Sequence, residues 1–323
     1  MKFRTLGHSG LLVSEIGFGA DNFGSRDDID VPAVVNAALD AGVTLFDTAD
    51  VYGQGGSETL LGKALGHNRK NIILTSKWGV PLGLPFGQIE GPTPHRGASR
   101  DYILKAVEGS LRRLGTDYID LYQFHYPDRF TPAEETLQTL NDLVHQGKVR
   151  YFGVSNQPAW QTVEWHLTAR LLKLNGPISV QDEYSLLKRR HVEEQQLPML
   201  KRFGLGLLPY FPLASGMLTG KYRRGEKFAA GTRFEVFKGL DQQFGTARNF
   251  DVVERLQVFA KERGHTLLEL AISWLLACPS VSSVIAGATT AQQVKQNVAA
   301  GSWQLTAEEL AEVDKITRSL PEG

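Results

Sequence analysis

Residues 44–58 read T-L-F-D-T-A-D-V-Y-G-Q-G-G-S-E. The stretch opens with the apolar character of a buried strand, breaks at an acid into a polar, glycine-rich loop, and restarts as a helix. A strand that ends in this way and hands over to a helix is half of a βα unit, so the first question is whether the unit repeats.

It does, in both directions. Upstream, residues 2–6 and 11–16 flank Gly7-His8-Ser9-Gly10 and read as a hairpin, no more than a cap on something larger. Residues 16–20 read as a first buried strand, followed by a helix at 32–40 with proline at its start, where a missing N–H costs nothing. Strand two is predicted at 43–47. Further strands follow at 71–77, 118–125, 149–154, 178–181, 206–210 and 281–286. Helices are predicted at 57–65 with Ser57 as N-cap, and at 99–114 with Ser99 as N-cap. Thr131-Pro132-Ala133-Glu134 reads as a capping box opening a helix that runs to about residue 146. Helices at 159–173, 193–203, 252–263, 267–277 and 310–317 complete the pattern, the last capped by Thr306-Ala307-Glu308-Glu309.

Strand then helix, eight times over, implies parallel pairing through right-handed crossovers. Eight strands in 323 residues favour a closed barrel over an open doubly wound sheet. The dinucleotide fingerprint of the open sheet also fails, because Gly17-Phe18-Gly19 is followed by Ala20-Asp21-Asn22 and the third glycine is missing. The fold expected is α/β, a (β/α)8 TIM barrel with an N-terminal hairpin cap and a C-terminal helix, residues 1–323 forming one domain.

Composition limits the classes of function. The formal net charge is zero, so no global field draws the chain to nucleic acid or to an anionic membrane. The single cysteine, Cys278, rules out an internal disulfide and lies in an apolar run, W-L-L-A-C-P. Neither a signal peptide nor a membrane span is expected, and a reducing, cytoplasmic location fits. No H-x-H or H-E-x-x-H occurs among eight histidines, so no metal is expected. The sequence offers no heptad seam and no isolated apolar helix face, so the oligomeric state is not readable from it.

In such a barrel the site lies at the carboxyl ends of the strands. Strand two ends at Asp47, three at Lys77, four at His125, five at Ser155-Asn156, six at Gln181, seven at Tyr210 and eight at Gly287, with Tyr52 in the loop after Asp47. Taken singly, Lys77 reads as an ordinary strand-exit charge, His125 as a satisfied core histidine and Asp47 as a turn cap. Together they fit one purpose, protonating a carbonyl oxygen. A free tyrosine has a pKa of about 10. An ammonium beside Tyr52 is expected to bring its pKa down into a useful range, with Asp47 as the counter-ion of Lys77 and His125 orienting the substrate. A nucleophile is missing from the set, and a hydride from a bound nicotinamide would supply it.

On these residues the chain resembles an aldo-keto reductase over essentially its whole length. D-T-A-D-V-Y-G-Q-G-G-S-E-T-L-L-G from Asp47 is close to that family's signature, and L-Y-Q-F-H-Y-P-D from Leu121 is similar to its histidine-bearing strand. G-V-S-N, Q-D-E-Y-S, Y-F-P-L-A-S-G-M-L-T-G-K-Y and G-A-T-T-A-Q-Q-V-K-Q-N, beginning at Gly153, Gln181, Tyr210 and Gly287, resemble its cofactor segments. The resemblance implies the barrel, a nicotinamide cofactor, NADP(H) more than NAD(H), and a tetrad of Asp47, Tyr52, Lys77 and His125 with Tyr52 as general acid. It implies that Ser155, Asn156 and Gln181 hold the carboxamide and that Tyr210 stacks on the ring. Phe211, Pro212, Leu213, Ser215, Gly216, Lys221 and Arg233 would lie along the pyrophosphate, and Gly287, Thr289, Gln293 and Asn297 at the adenosine end. Gly19, Ala20 and Asp47 join the cofactor set, Asp47 close to the ribose.

Two departures stand out. Phe211 replaces a serine common in the family, and the segment from Gly287 lacks the cation many members place against the 2′-phosphate. Phe23, Trp78, Phe86 and Tyr126 are the aromatic candidates for the pocket mouth, with residues 79–98 as its variable wall. An apolar mouth points to uncharged or aromatic aldehydes and ketones, unless Arg96 and Arg129 point inward. The reaction expected is NADPH-dependent reduction of a small-molecule aldehyde or ketone. The alternatives are an NAD(P)-linked sugar or pyridoxine dehydrogenase, and a cofactor-binding regulatory subunit like the potassium-channel β-subunits. That last branch, by the same resemblance, carries asparagine where this chain has His125, which favours an enzyme.

Overall fold

The structure is a computed structural model and describes residues 1–80, 97–229, 231–237 and 239–318. A two-stranded antiparallel hairpin, β1 (Phe3–Thr5) and β2 (Leu12–Ser14), precedes an eight-stranded parallel sheet. The strands of the sheet are β3 (Ile16–Gly19), β4 (Leu45–Asp47), β5 (Ile73–Trp78), β6 (Ile119–Phe124), β7 (Val149–Ser155), β8 (Ser179–Glu183), β9 (Gly206–Tyr210) and β10 (Val284–Gly287). They pair in chain order, and β10 returns beside β3 with Val284 opposite Ile16. The seam closes where Leu207 N donates to Ser280 O (2.8 Å) and Ser282 N to Leu207 O (2.9 Å). The barrel and hairpin expected from the sequence are therefore present.

Helices α1 (Val31–Asp40), α2 (Gly56–Leu65), α3 (Arg100–Leu114), α4 (Ala133–His145), α5 (Ala159–Leu171) and α6 (Leu197–Phe203) surround the first part of the barrel. Two short helices, α7 (Arg233–Val236) and α8 (Leu240–Phe244), escaped the periodic pattern. They are followed by α9 (Ala247–Glu262), α10 (Leu267–Leu276), α11 (Ala291–Ala299) and the C-terminal α12 (Ala307–Arg318).

Alternation along each strand produces two cores. Inward residues Leu45, Leu121, Leu208 and Ile285 pack with Leu6, Leu11 and Val13, so the hairpin stoppers the amino end of the barrel with its own side chains. Each such leucine, removed from water, contributes about 1.5–3 kcal/mol. Outward residues form a larger layer against the helices. Arg4 rivets the hairpin to the seam, donating to Val281 O and Leu276 O, both at 2.8 Å.

Some local expectations are corrected. Ser57 is not the N-cap of α2; left-handed Gly55 (φ 89) is, and Ser57 lies inside the helix, its hydroxyl donating to Ala20 O (2.8 Å). The Thr131 box does not form, since Thr131 donates instead to Asp128 (2.8 Å) and α4 begins without a side-chain cap. The reciprocal Thr306–Glu309 cap does form. Contrary to the expectation of no apolar helix face, α5 leaves Trp160, Leu167 and Leu171 exposed along one stripe. Among the described residues no helix is long and apolar enough to cross a membrane.

Candidate active site

A cavity of about 1220 Å³ opens at the carboxyl end of the barrel. Asp47, Tyr52 and His125 line it at one end, and Thr289, Gln293 and Asn297 at the other. On β5 the inward residues are Thr75 and Lys77. Lys77 Nζ meets Asp47 Oδ2 at 2.6 Å and Thr48 O at 2.8 Å, and reaches the Tyr52 hydroxyl at 3.3 Å. Asp47 Oδ1 accepts from Thr75 (2.6 Å) and from the Gln181 amide (2.9 Å). The carboxylate and ammonium thus satisfy each other while almost wholly buried, as such a pair must.

Tyr52 is presented by a loop that no ordinary backbone follows, since Gly53, Gln54 and Gly55 all have positive φ. Its phenol pKa is pushed well above the ordinary value, first by burial, then by the negative charges of Asp47 and Asp21. The expected lowering by Lys77 is not what the geometry gives. Burial dominates, and the ammonium sits closer to Asp47 (2.6 Å) than to the Tyr52 hydroxyl (3.3 Å). Tyr52 therefore keeps its proton. The His125 ring stands edge-on to Tyr52 with centroids 5.6 Å apart. Burial, and then the Lys77 charge, hold its pKa well below the usual imidazole range, so the ring is neutral.

The floor of the cavity is a hydrogen-bonded shelf. Asn156 donates through its side chain to His125 O (3.0 Å) and accepts from the Tyr210 hydroxyl (2.7 Å), beside buried Ser155. Along the next wall Phe211, Ala214 and Ser215 all adopt left-handed backbone angles, with φ between 47 and 54. The Arg233 guanidinium lies 5.0 Å from the Phe211 ring centroid and pairs with Asp21 at 2.9 Å. At the far end Gln293 Oε1 accepts from Thr289 N (2.8 Å), and Asn297 donates to Gly287 O (3.3 Å).

This wall fits a dinucleotide. The Ser215 hydroxyl and Arg233 Nε are buried without a hydrogen-bond partner among the described residues, and both residues line the cavity. Lys221 makes no ion pair among the described residues; burial, then Arg233 and Arg26, lower its ammonium pKa. Three cations gathered on one wall suit a diphosphate. Gly216 has φ 97, a backbone that side chains rarely adopt, and a Cβ there would also fall 2.8 Å from the movable end of Lys221, at Cε.

Several expected residues lie elsewhere. Trp78 is adjacent to inward Lys77 and so faces outward, fully buried and stacked on Tyr122 at 4.5 Å. Phe23 is 1% exposed and packs on Phe18. Neither can form a pocket mouth. Ala20 is buried and off the lining, its N–H donating to Asp47 O (2.9 Å), whereas Gly19 does line the cavity. Tyr126 stands exposed outside the lining, and Arg129 is exposed. Phe86 and Arg96 lie outside the described residues. Asp21, Arg26 and Glu183 line the cavity without having been singled out. So do Thr266 and Glu269, whose reciprocal capping box before an apolar run was a readable signal. Among the described residues no cluster of His, Cys, Asp or Glu is arranged to hold a metal.

A family model described as "Aldo/keto reductase family" matches residues 15–318. The chain is 39% identical to a probable voltage-gated potassium channel subunit beta of Oryza sativa subsp. japonica, over 99% of this chain and 98% of the relative. A protein with the same description from Arabidopsis thaliana is 37% identical with the same coverage. An uncharacterized oxidoreductase, YrpG, of Bacillus subtilis (strain 168) is 35% identical, over 98% of this chain and 96% of the relative.

Proposed function

The chain belongs to the aldo/keto reductase family of NAD(P)H-dependent oxidoreductases, and we propose that it reduces an aldehyde or ketone to the alcohol with NADPH, using Tyr52 as the general acid. The observation that carries this reading is the convergence of Tyr52, the Lys77–Asp47 pair and neutral His125 at one end of the cavity.

Asn156, Ser155 and Gln181 would hold the carboxamide of the cofactor, and Tyr210 would support its ring. Ser215, Lys221 and Arg233 would take the diphosphate, with Thr289, Gln293 and Asn297 at the adenosine end. When bound, the nicotinamide supplies the hydride. The chain's own residues supply the rest. His125, kept neutral, retains an N–H to donate to the substrate oxygen and can share its growing negative charge. Tyr52, kept protonated, surrenders its proton as that oxygen becomes an alkoxide. The Lys77 ammonium, 3.3 Å away, steadies the phenolate left behind. The preference for NADPH rests on the Thr289 and Thr290 hydroxyls at the start of α11, where backbone N–H groups favour phosphate. A reducing compartment suits the half-buried thiol of Cys278, whose pKa burial raises.

Turnover of an aldehyde panel with NADPH and NADH, by wild type and Tyr52→Phe, tests the reading. Tyr52→Phe should bind cofactor and lose turnover; a variant that keeps most of its activity removes Tyr52 from the role of acid.

A second reading, a cofactor-binding regulatory subunit, is favoured by the plant relatives, which are described as probable voltage-gated potassium channel subunits beta. His125 in place of asparagine weighs for turnover, and absence of turnover across the panel with intact cofactor binding would favour the regulatory role.

A further inference from the structure

Asn156 holds a left-handed backbone, φ 57, that a residue with a side chain keeps only where its surroundings enforce it. Its N–H is shared between Gln181 O (3.1 Å) and Asp182 Oδ1 (3.0 Å). Its side chain joins the backbone of His125 to the hydroxyl of Tyr210. Asp182 thus grips, from behind, the residue that ties the floor of the cavity together.

Asp182 is 2% exposed. Alternation along β8 turns Gln181 into the barrel, toward Asp47, and Asp182 out of it. Its second oxygen, Oδ2, has no hydrogen bond among the described residues. Facing that oxygen at 3.6 Å is Nε2 of His191, too far for a hydrogen bond, on a side chain that is 45% exposed. His191 precedes a π-helical turn, Val192–Gln196, a distortion that often accompanies function. The turn brings the Gln196 amide within 3.4 Å of the same Nε2 and 2.9 Å of Gln157 O, one residue beyond Asn156. A half-exposed imidazole therefore reaches the cavity floor through one buried carboxylate.

We propose that Asp182 and His191 form a positioning pair for Asn156, in which the protonated imidazole closes onto Asp182 and holds the Asn156–Tyr210 shelf in the form that receives the nicotinamide end of the cofactor. This rests on the reading that Asn156 and Tyr210 meet that end. Neither member of the pair touches the cofactor. The neighbouring charges set the direction of the effect. Asp182 raises the His191 pKa above the ordinary imidazole value, while partial burial and Lys188 oppose it. Arg190 and Glu194 are exposed and pair with each other. Glu183 adds negative charge beside Asp182, whose own carboxyl is held above the usual range by burial. The pair is complete below the His191 transition and is lost as pH rises through it.

Two measurements on the full chain test the pair. The first follows the Asn156 amide and the His191 ring by NMR from about pH 5.5 to about 8.5, the range in which imidazoles titrate, without cofactor. The Asn156 amide should move with the His191 midpoint in wild type, and that transition should vanish in His191→Gln and in Asp182→Asn. An amide that stays still, or titrates unchanged in His191→Gln, overturns the proposal. The second measures NADPH affinity by intrinsic tryptophan fluorescence at both ends of the range. Wild type should bind about fivefold more weakly at the alkaline end relative to His191→Gln, the low end of ordinary coupling between sites. Titration of the ligand itself is common to both proteins and cancels. Asp182→Asn, which keeps an acceptor for the Asn156 N–H, should match His191→Gln, and a wild-type profile in either variant overturns the proposal. If the amide titrates as expected but neither NADPH nor NADH binds at any pH, the pair stands and the reading of the cavity falls.

Discussion

The Lys77 ammonium lies 2.6 Å from the Asp47 carboxylate, with the lysine side chain fully buried and the aspartate 5% exposed. Removing one member of such a pair strands the other's charge, at a cost of about 3–5 kcal/mol. Lys77→Met should therefore lower the urea-derived unfolding free energy by about that amount. Asp47→Asn with Lys77→Met keeps an acceptor for Thr75 and Gln181 and leaves no lone charge. The double variant should recover more than half of the loss while remaining inactive.

Tyr52→Phe should lower kcat by about 10²–10⁴-fold, the usual range for a positioned proton donor, with NADPH affinity within a factor of about two. Because burial and the acids around Tyr52 hold its pKa well above the ordinary value of 10.0, reductive kcat/KM should show no alkaline limb from this group below about pH 10. Initial rates across pH at saturating NADPH check kcat and the pH profile, and a fluorescence titration with NADPH checks the affinity.

His125 should make the fold acid-sensitive. Its pKa in the folded state lies well below 6.5, so as pH falls below about 6.5 the unfolded chain takes up a proton that the folded chain refuses. Stability should then fall by up to about 1.4 kcal/mol per pH unit from this group. His125→Asn should flatten that part of the stability profile in urea titrations made between about pH 5 and 7.

Gly216→Ala tests the fit of the diphosphate wall. The position has φ 97, and the new methyl would displace Lys221. The strain should cost about 1–2 kcal/mol of stability. NADPH affinity should fall roughly tenfold, equivalent to about 1.4 kcal/mol. kcat at saturation should be little changed, and fluorescence titration beside steady-state kinetics separates the two effects.

The strands and the residues at their ends were legible because a barrel converts a chain-local event, an apolar run meeting a polar residue, into a position at one mouth. Asp47, Lys77 and His125 could be read together for that reason. Trp78 was misplaced although the rule against it was available, since a residue next to an inward lysine must face the helices. The clasp between Asp21 and Arg233 joins residues 212 positions apart and leaves no local mark in the sequence. The Tyr52 phenol went the other way from expectation first because burial disfavours the phenolate, which a linear motif does not show, and then because the charges of Asp47 and Asp21 add to it. The Lys77 ammonium is also nearer to Asp47 than to the Tyr52 hydroxyl, at 2.6 Å against 3.3 Å.

The joint between β3 and β10, which closes a barrel stoppered by the hairpin, sets the order of events during synthesis. Ile16 is made early and its partner Val284 more than 260 residues later. The nascent chain must therefore carry an incomplete barrel, with both edges of its sheet unpaired, until the last strand has left the ribosome. Until then Leu6, Leu11 and Val13 have no finished interior to fill, and chaperones that shield exposed strand edges have a defined window in which to act.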